Sequence, residues 1–167
     1  MTILLKNKHT LKIDDFHFQC SIGKNGISKK KKEGDNKTPK GFFKIQHLYF
    51  RKDRLKKPKT RLKCIEINKN MGWCDDPRSM KYNKLINLPF SGSCEKLFRK
   101  ENIYDIILVL DFNMNPIRKN KGSAIFIHVA KKNYEKTKGC IAIKKVELLK
   151  ILKEIKINTK VKIENQR

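Results

Sequence analysis

Five consecutive apolar residues, Ile106-Ile107-Leu108-Val109-Leu110, constrain this chain more than any other segment. A strand that is apolar on both faces must be covered on both, so it belongs at the centre of a sheet with material packed above and below. After a turn through residues 113–120, with Pro116, comes a second apolar, β-branched run, Ala124-Ile125-Phe126-Ile127-His128-Val129-Ala130. Pairing the two runs places His128 on the rigid centre of the sheet, where a base keeps a fixed geometry. A third short strand, Cys140-Ile141-Ala142-Ile143, follows Lys136-Thr137-Lys138-Gly139.

A thiol and an imidazole are the minimum for cysteine nucleophilic catalysis. Free cysteine, with a pKa near ~8.5, is mostly protonated at neutral pH and needs a base or an electropositive setting. Gly139, lacking a Cβ, lets a substrate carbonyl approach the backbone, whose N–H groups can stabilise an oxyanion. A buried cysteine and a histidine on a strand are also ordinary core residues, so the residues alone leave packing and catalysis both open.

Three segments taken together are more specific. They are His128 with Thr137-Lys138-Gly139-Cys140-Ile141, the run Thr38-Pro39-Lys40-Gly41-Phe42-Phe43, and Gly72-Trp73-Cys74-Asp75-Asp76-Pro77 with Tyr82-Asn83. In combination they resemble the L,D-transpeptidase catalytic domain, the YkuD family, in its small leaderless bacterial branch. The resemblance implies an α+β, mainly β fold over a single domain, residues 1–167. It implies a β-sandwich or mixed sheet with one C-terminal amphipathic helix and short helical segments.

It further implies Cys140 as nucleophile and His128 as general base. Gly139 and the backbone around Cys140 would form the oxyanion site, Thr137 would orient the loop, and Ile141 fills the aliphatic position after the cysteine. Trp73, Asp75, Asp76, Tyr82, Asn83 and Lys138 become candidates for a substrate groove. The implied partner is a peptidoglycan stem peptide or precursor, attacked at a diamino-acid carbonyl to give a thioester that an amine then takes. The chain departs from many members in Val129, where glycine is common, and in Ala142, where arginine or asparagine is common.

Net charge sharpens the alternatives. The +25 balance comes from 41 Lys+Arg against 16 Asp+Glu, and 34 of the 41 are lysine. Nucleic-acid readers rely on arginine for bidentate contacts, so lysine excess points to non-specific polyanion binding more than to sequence recognition. A non-catalytic basic module for nucleic acid or anionic wall polymer, and a same-fold carboxypeptidase or amidase, are the rival readings.

Five cysteines without a C-x-x-C pair argue against a disulfide framework and a structural zinc site. No metal or cofactor is expected, and a monomer is. Residues 2–5 are followed at once by Lys6-Asn7-Lys8, so no export signal or membrane span is expected. That reading is cytoplasmic, although the substrate implied by the resemblance is periplasmic.

Along the chain, a hairpin is expected over residues 2–13 with Asn7-Lys8 at its turn. Strands follow at residues 16–20, 41–50, 62–67 and 160–164, the last at a sheet edge. Residues 28–40, with Lys29-Lys30-Lys31-Lys32, read as a solvated loop, and residues 52–63 as an exposed connector. Residues 68–90 read as an irregular functional loop in which Asp75 or Asp76 caps a turn or pairs with Arg78 or Lys81, while Trp73 packs inward. Cys74 in this loop is the rival nucleophile, with no histidine near it in sequence. A short helix is expected at residues 91–102, and a longer one at 144–156 with Val146, Leu148, Leu149, Leu152 and Ile155 on its apolar face.

Overall fold

The computed structural model describes residues 2–5, 7, 9–29 and 32–164. In chain order its first strands are β1 (Thr2–Leu5), β2 (Thr10–Ile13), β3 (Phe16–Ser21), β4 (Ile27–Ser28), β5 (Thr38–Pro39) and β6 (Gly41–Phe50). Then come β7 (Cys64–Glu66), β8 (Met71–Cys74), β9 (Leu85–Asn87), β10 (Cys94–Lys96) and a 3-10 turn at Asn102–Tyr104. The chain continues with β11 (Ile106–Leu110), β12 (Phe126–Val129), β13 (Ile141–Ile143), helix α1 (Lys145–Glu154) and β14 (Lys160–Ile163).

Two strands belong to two sheets at once and turn the architecture into a sandwich. β3 gives Phe16 to Gln19 to β2 and then Cys20 and Ser21 to β13. β6 pairs through Gly41 to Lys44 with β14 and through its second half with β11 and β7. One layer therefore runs β3-β2-β1-β14-β6 and the other β3-β13-β12-β11-β6-β7. Ile3, Leu5, Leu11 and Ile13 from the first layer share one core with Leu108, Ile127, Ile141 and Ile143 from the second. Helix α1 adds Leu148, Ile151 and Leu152 to it, and Ile155 follows just beyond the helix.

The opposite face of the second layer carries a separate core of Tyr49, Ile107, Val109 and Phe126, capped by Met71, Trp73, Leu97 and Tyr104. β11 is thus covered on both sides, and all five of its residues are buried. The cap is a three-stranded sheet, β10-β8-β9.

That cap corrects two expectations. Residues 68–90 hold two strands instead of irregular structure, and residues 91–102 hold β10 instead of a helix. The spacing of Cys94, Leu97 and Phe98 matches one helical face, but here a three-residue strand and a turn bring Leu97 and Phe98 onto the second core. β14 is interior, parallel to β1 and antiparallel to β6, and not at an edge. Pro58 and Leu62 in the basic connector are buried. On α1, Ile151 occupies the buried face while Val146 is 62% exposed. In the first hairpin Asn7 Oδ1 accepts the N–H groups of His9 and Thr10, each at 2.9 Å. Lys8 of that turn, and Lys30 and Lys31 of the lysine run, lie outside the described residues. No helix among the described residues is long and apolar enough to cross a membrane.

Candidate active site

β12 and β13 are parallel neighbours with Ile127 opposite Ile141 and His128 opposite Ala142. Alternation sends Ile127, Val129, Ile141 and Ile143 into the sandwich core, and Phe126, His128 and Ala142 to the other face. Cys140, immediately before β13, falls on that same face and packs against the second core. Cys140 and His128 both line one cleft of about 480 Å³. Ile141 is fully buried in the sandwich core, so its side chain faces away from that cleft.

The turn carrying the thiol is locked from both sides. Thr137 Oγ1 donates to the Cys140 carbonyl at 2.6 Å and accepts the Gly139 N–H at 3.1 Å. Buried Thr38 donates its hydroxyl to the Gly139 carbonyl at 2.8 Å and accepts the Gly23 N–H at 2.9 Å. Gly139 sits at φ +144, and a Cβ there would stand 2.9 Å from the Lys37 carbonyl oxygen. Glycine is thus required by backbone crowding. The Gly139 N–H, expected to face an oxyanion, is instead engaged by Thr137.

The thiol itself is held by backbone. Cys140 Sγ donates to the Ala124 carbonyl at 3.1 Å and accepts the Phe126 N–H at 3.4 Å. Ala124 has φ +51, an uncommon conformation for a residue with a Cβ. Asn83 fixes it: its side-chain oxygen accepts the Ala124 N–H at 3.1 Å and the Trp73 Nε1–H at 3.0 Å. The Asn83 amide donates to the carbonyls of Phe112 and Asn113.

His128 is 6% exposed, and its Nδ1 lies 2.9 Å from the Val129 carbonyl. A carbonyl only accepts, so this bond puts the proton on Nδ1 and leaves Nε2 as the basic nitrogen. Burial pushes the ring pKa down to about 4, assisted by the Arg99 charge and opposed by the backbone of Val129 and Ile103. The imidazole is therefore neutral at neutral pH. Tyr104 packs edge-on against it, with ring centroids 5.4 Å apart.

The cleft walls carry opposite charges. Glu95 accepts hydrogen bonds from Arg99 at 2.7 Å and the Tyr104 hydroxyl at 3.2 Å, while Arg99 also pairs with Glu101. Glu33 receives the hydroxyls of Ser123, at 2.7 Å, and Tyr82. Of the six groove candidates, Asp75 and Lys138 line the cleft.

The other four sit behind it. Trp73, Tyr82 and Asn83 are buried, Trp73 against Phe126. Asp76 caps its own turn through the Arg78 N–H at 3.0 Å. Cys74 is fully buried and is not part of the cleft lining. The reading of the sequence missed Glu33, Glu95, Arg99 and Tyr104. Scarcity was the available signal, because carboxylates are few in this chain and five of the 16, namely Glu33, Asp75, Glu95, Glu101 and Glu135, line one cleft. Among the described residues no group of three or more His, Cys, Asp or Glu side chains is placed to hold a metal ion.

This sandwich, with its cap sheet, is the fold of an L,D-transpeptidase catalytic domain. The family model for that domain, YkuD, matches residues 1–163, and the chain belongs to this family. Among solved structures it is similar to the helical cell shape determining protein Pgp2 from Campylobacter jejuni, at 17% identity and a TM-score of 0.54. That match covers 99% of this chain and 48% of the other. The K307A mutant of Pgp2 matches at 17% identity with a TM-score of 0.55, covering 99% and 47%. L,D-transpeptidase 1 of Mycobacterium tuberculosis matches at 11% identity and a TM-score of 0.45, over 97% of this chain and 57% of that one. The likeness to the Pgp2 structures is of fold, and the chain spans about half their length. A search of curated proteins gave no match.

Proposed function

We propose that this protein is a cysteine acyltransferase of the L,D-transpeptidase type, forming a thioester on Cys140 with peptidoglycan-type stem peptides. The observation that carries the reading is the placement of Cys140 and neutral His128 on one face of adjacent parallel strands, lining one cleft. The Cys140 sulfur rests on the Ala124 carbonyl and the imidazole rests neutral, ready to accept a proton.

When substrate enters, His128 takes the thiol proton and the thiolate attacks the carbonyl carbon of the diamino residue. The backbone N–H groups of Lys138 and Cys140 stabilise the oxyanion, those of Thr137 and Gly139 being taken up by the Ile22 carbonyl and the Thr137 hydroxyl. Collapse releases the terminal D-residue, whose amine takes the proton back from the imidazolium. An incoming amine, deprotonated by His128, attacks the thioester and restores the thiol.

The lining suits such a substrate. A stem peptide carries both carboxylates and an ammonium, and the cleft offers Lys131, Lys136 and Lys138 as well as carboxylates. Asp75 Oδ1 is buried without a hydrogen-bond partner among the described residues, a position suited to an ammonium. The net charge of +25 favours salt-sensitive association with an anionic polymer.

The test is mass spectrometry of a diaminopimelate-containing stem tetrapeptide incubated with the protein and with Cys140→Ala. Cross-linked dimer formed only by the unmutated protein is the expected result. Tripeptide alone would make water the acceptor, and full turnover by Cys140→Ala would overturn the reading.

A further inference from the structure

Cys74 and Cys94 are directly opposite each other in the antiparallel pair β8–β10. The flanking bonds define which kind of pair this is. Asp75 N–H donates to the Ser93 carbonyl at 3.3 Å, and further along Leu97 N–H donates to the Met71 carbonyl at 3.1 Å. Hydrogen-bonded pairs alternate with non-hydrogen-bonded ones, so residues 74 and 94 form a non-hydrogen-bonded pair. Such pairs have Cα atoms about 4.5 Å apart and side chains leaning together. Disulfides bridge Cα separations of roughly 4.4–6.8 Å, so no backbone movement beyond side-chain rotation is required.

From this juxtaposition we propose that Cys74 and Cys94 form an oxidisable cross-strand dithiol, closed to a disulfide by a small-molecule disulfide such as oxidised glutathione. The other register positions offer no such partner: Cys20 faces Ile143 and Cys64 faces Leu48. Access also differs usefully within the pair. Cys94 is half-buried while Cys74 is fully buried, which makes Cys94 the thiol that meets the oxidant and Cys74 the one that resolves.

The exchange balances. The Cys94 thiolate attacks one sulfur of the oxidant, breaking its S–S bond and releasing one glutathione thiol. The Cys74 thiolate then attacks Sγ of Cys94, forming the protein S–S bond and releasing the second glutathione. Two protein thiols are oxidised, and their two protons and two electrons leave on two glutathione thiols.

The bond would staple the cleft wall. Asp75, Ser93 and Glu95 flank the two cysteines and line the cleft, and Glu95 holds Arg99 and Tyr104. None of this depends on Cys140 being a nucleophile.

The experiment equilibrates the full chain, and separately Cys140→Ala to remove the cleft thiol, with excess oxidised glutathione. Intact mass and peptide mapping after alkylation are then read. The expected product has lost two hydrogens at this pair, carries no glutathione on Cys74 or Cys94, maps as a Cys74–Cys94 cystine in both proteins and melts at a higher temperature than the reduced form. Cys94→Ser should show neither the mass loss nor the melting shift. A glutathione adduct persisting on Cys94, a cystine joining another pair, or no oxidation at all would each overturn the proposal.

Discussion

Asn83 positions Ala124 from beneath the cleft: its side-chain oxygen accepts the Ala124 N–H at 3.1 Å, and the Ala124 carbonyl in turn accepts the Cys140 thiol at 3.1 Å. The same oxygen accepts the indole N–H of Trp73. Asn83→Ala therefore strips the acceptor from two donors. Leaving buried donors unsatisfied costs about 1–3 kcal/mol each, so a loss of roughly 2–6 kcal/mol in urea unfolding is expected. Since Asn83 is not among the cleft-lining residues, peptide turnover should fall through kcat more than through KM. An unchanged kcat in a folded Asn83→Ala protein would break the link from Asn83 to the thiol.

His128 sets a pH window. Its ordinary pKa is 6.5, and in the fold it is held at about 4 by burial. Between these values the unfolded chain binds a proton that the folded chain refuses, so stability rises with pH through the window. The contribution is complete above 6.5 and declines as pH falls to about 4, where about 3 kcal/mol has been lost. Urea unfolding of the native protein and His128→Gln across pH 3.5–7 checks this, the predicted outcome being a difference curve that slopes only inside the window. The acid limb of kcat/KM should likewise fall near pH 4 and not near 6.5, because a base must be unprotonated to act.

Gly139→Ala should be severe. The residue has φ +144 and its added Cβ would meet the Lys37 carbonyl oxygen at 2.9 Å, which is backbone and gives little. Strain at such positions costs on the order of 1–3 kcal/mol, and the displaced turn carries Cys140. Alkylation of Cys140 by iodoacetamide, followed by peptide mapping, should change rate in this variant while Cys64 alkylation does not.

Thr38→Val keeps the shape and removes the hydroxyl that links Gly23 to Gly139. The Gly23 N–H loses its acceptor and the Gly139 carbonyl its donor, both in a buried setting. A loss of about 2–6 kcal/mol is expected, with reduced turnover, and Thr38→Ser should recover most of both. Serine failing to recover either would show that the methyl group and not the hydroxyl matters.

What was legible in the sequence follows physical scale. β6 and β11 were readable because ten residues, or an unbroken apolar run, exceed the noise of local pattern. That Cys140 and His128 belong together came from the resemblance, while the face they share depends on the parallel pairing of β12 with β13, which the sequence did not show. The cap sheet was not readable, because β8, β9 and β10 are three or four residues long and too short to show a period. Alternation in β14 gave a strand but not its neighbours, which depend on the parallel pairing with β1. On α1, Leu148, Ile151 and Leu152 are spaced i, i+3 and i+4 on one helical face, so Ile151 was readable as buried, while Val146, two residues before Leu148, falls on the opposite side.

Of the groove candidates, the resemblance pointed to Tyr82 and Asn83 as substrate contacts, yet their hydrogen bonds run to Glu33, Gly122 and Ala124 within the protein. Glu95, Arg99 and Tyr104 were invisible, since a salt bridge between residues four apart on a turn has no pattern of its own.

The most direct measurement is intact-protein mass after brief mixing with a stem tetrapeptide and acid quench. The account predicts an acyl adduct, mapped to Cys140, whose mass equals the peptide less its terminal D-residue. The adduct should be absent in Cys140→Ala and decay faster when an acceptor amine is added. Product formation by the unmutated protein with the acyl group on another residue, or undiminished in Cys140→Ala, would contradict it.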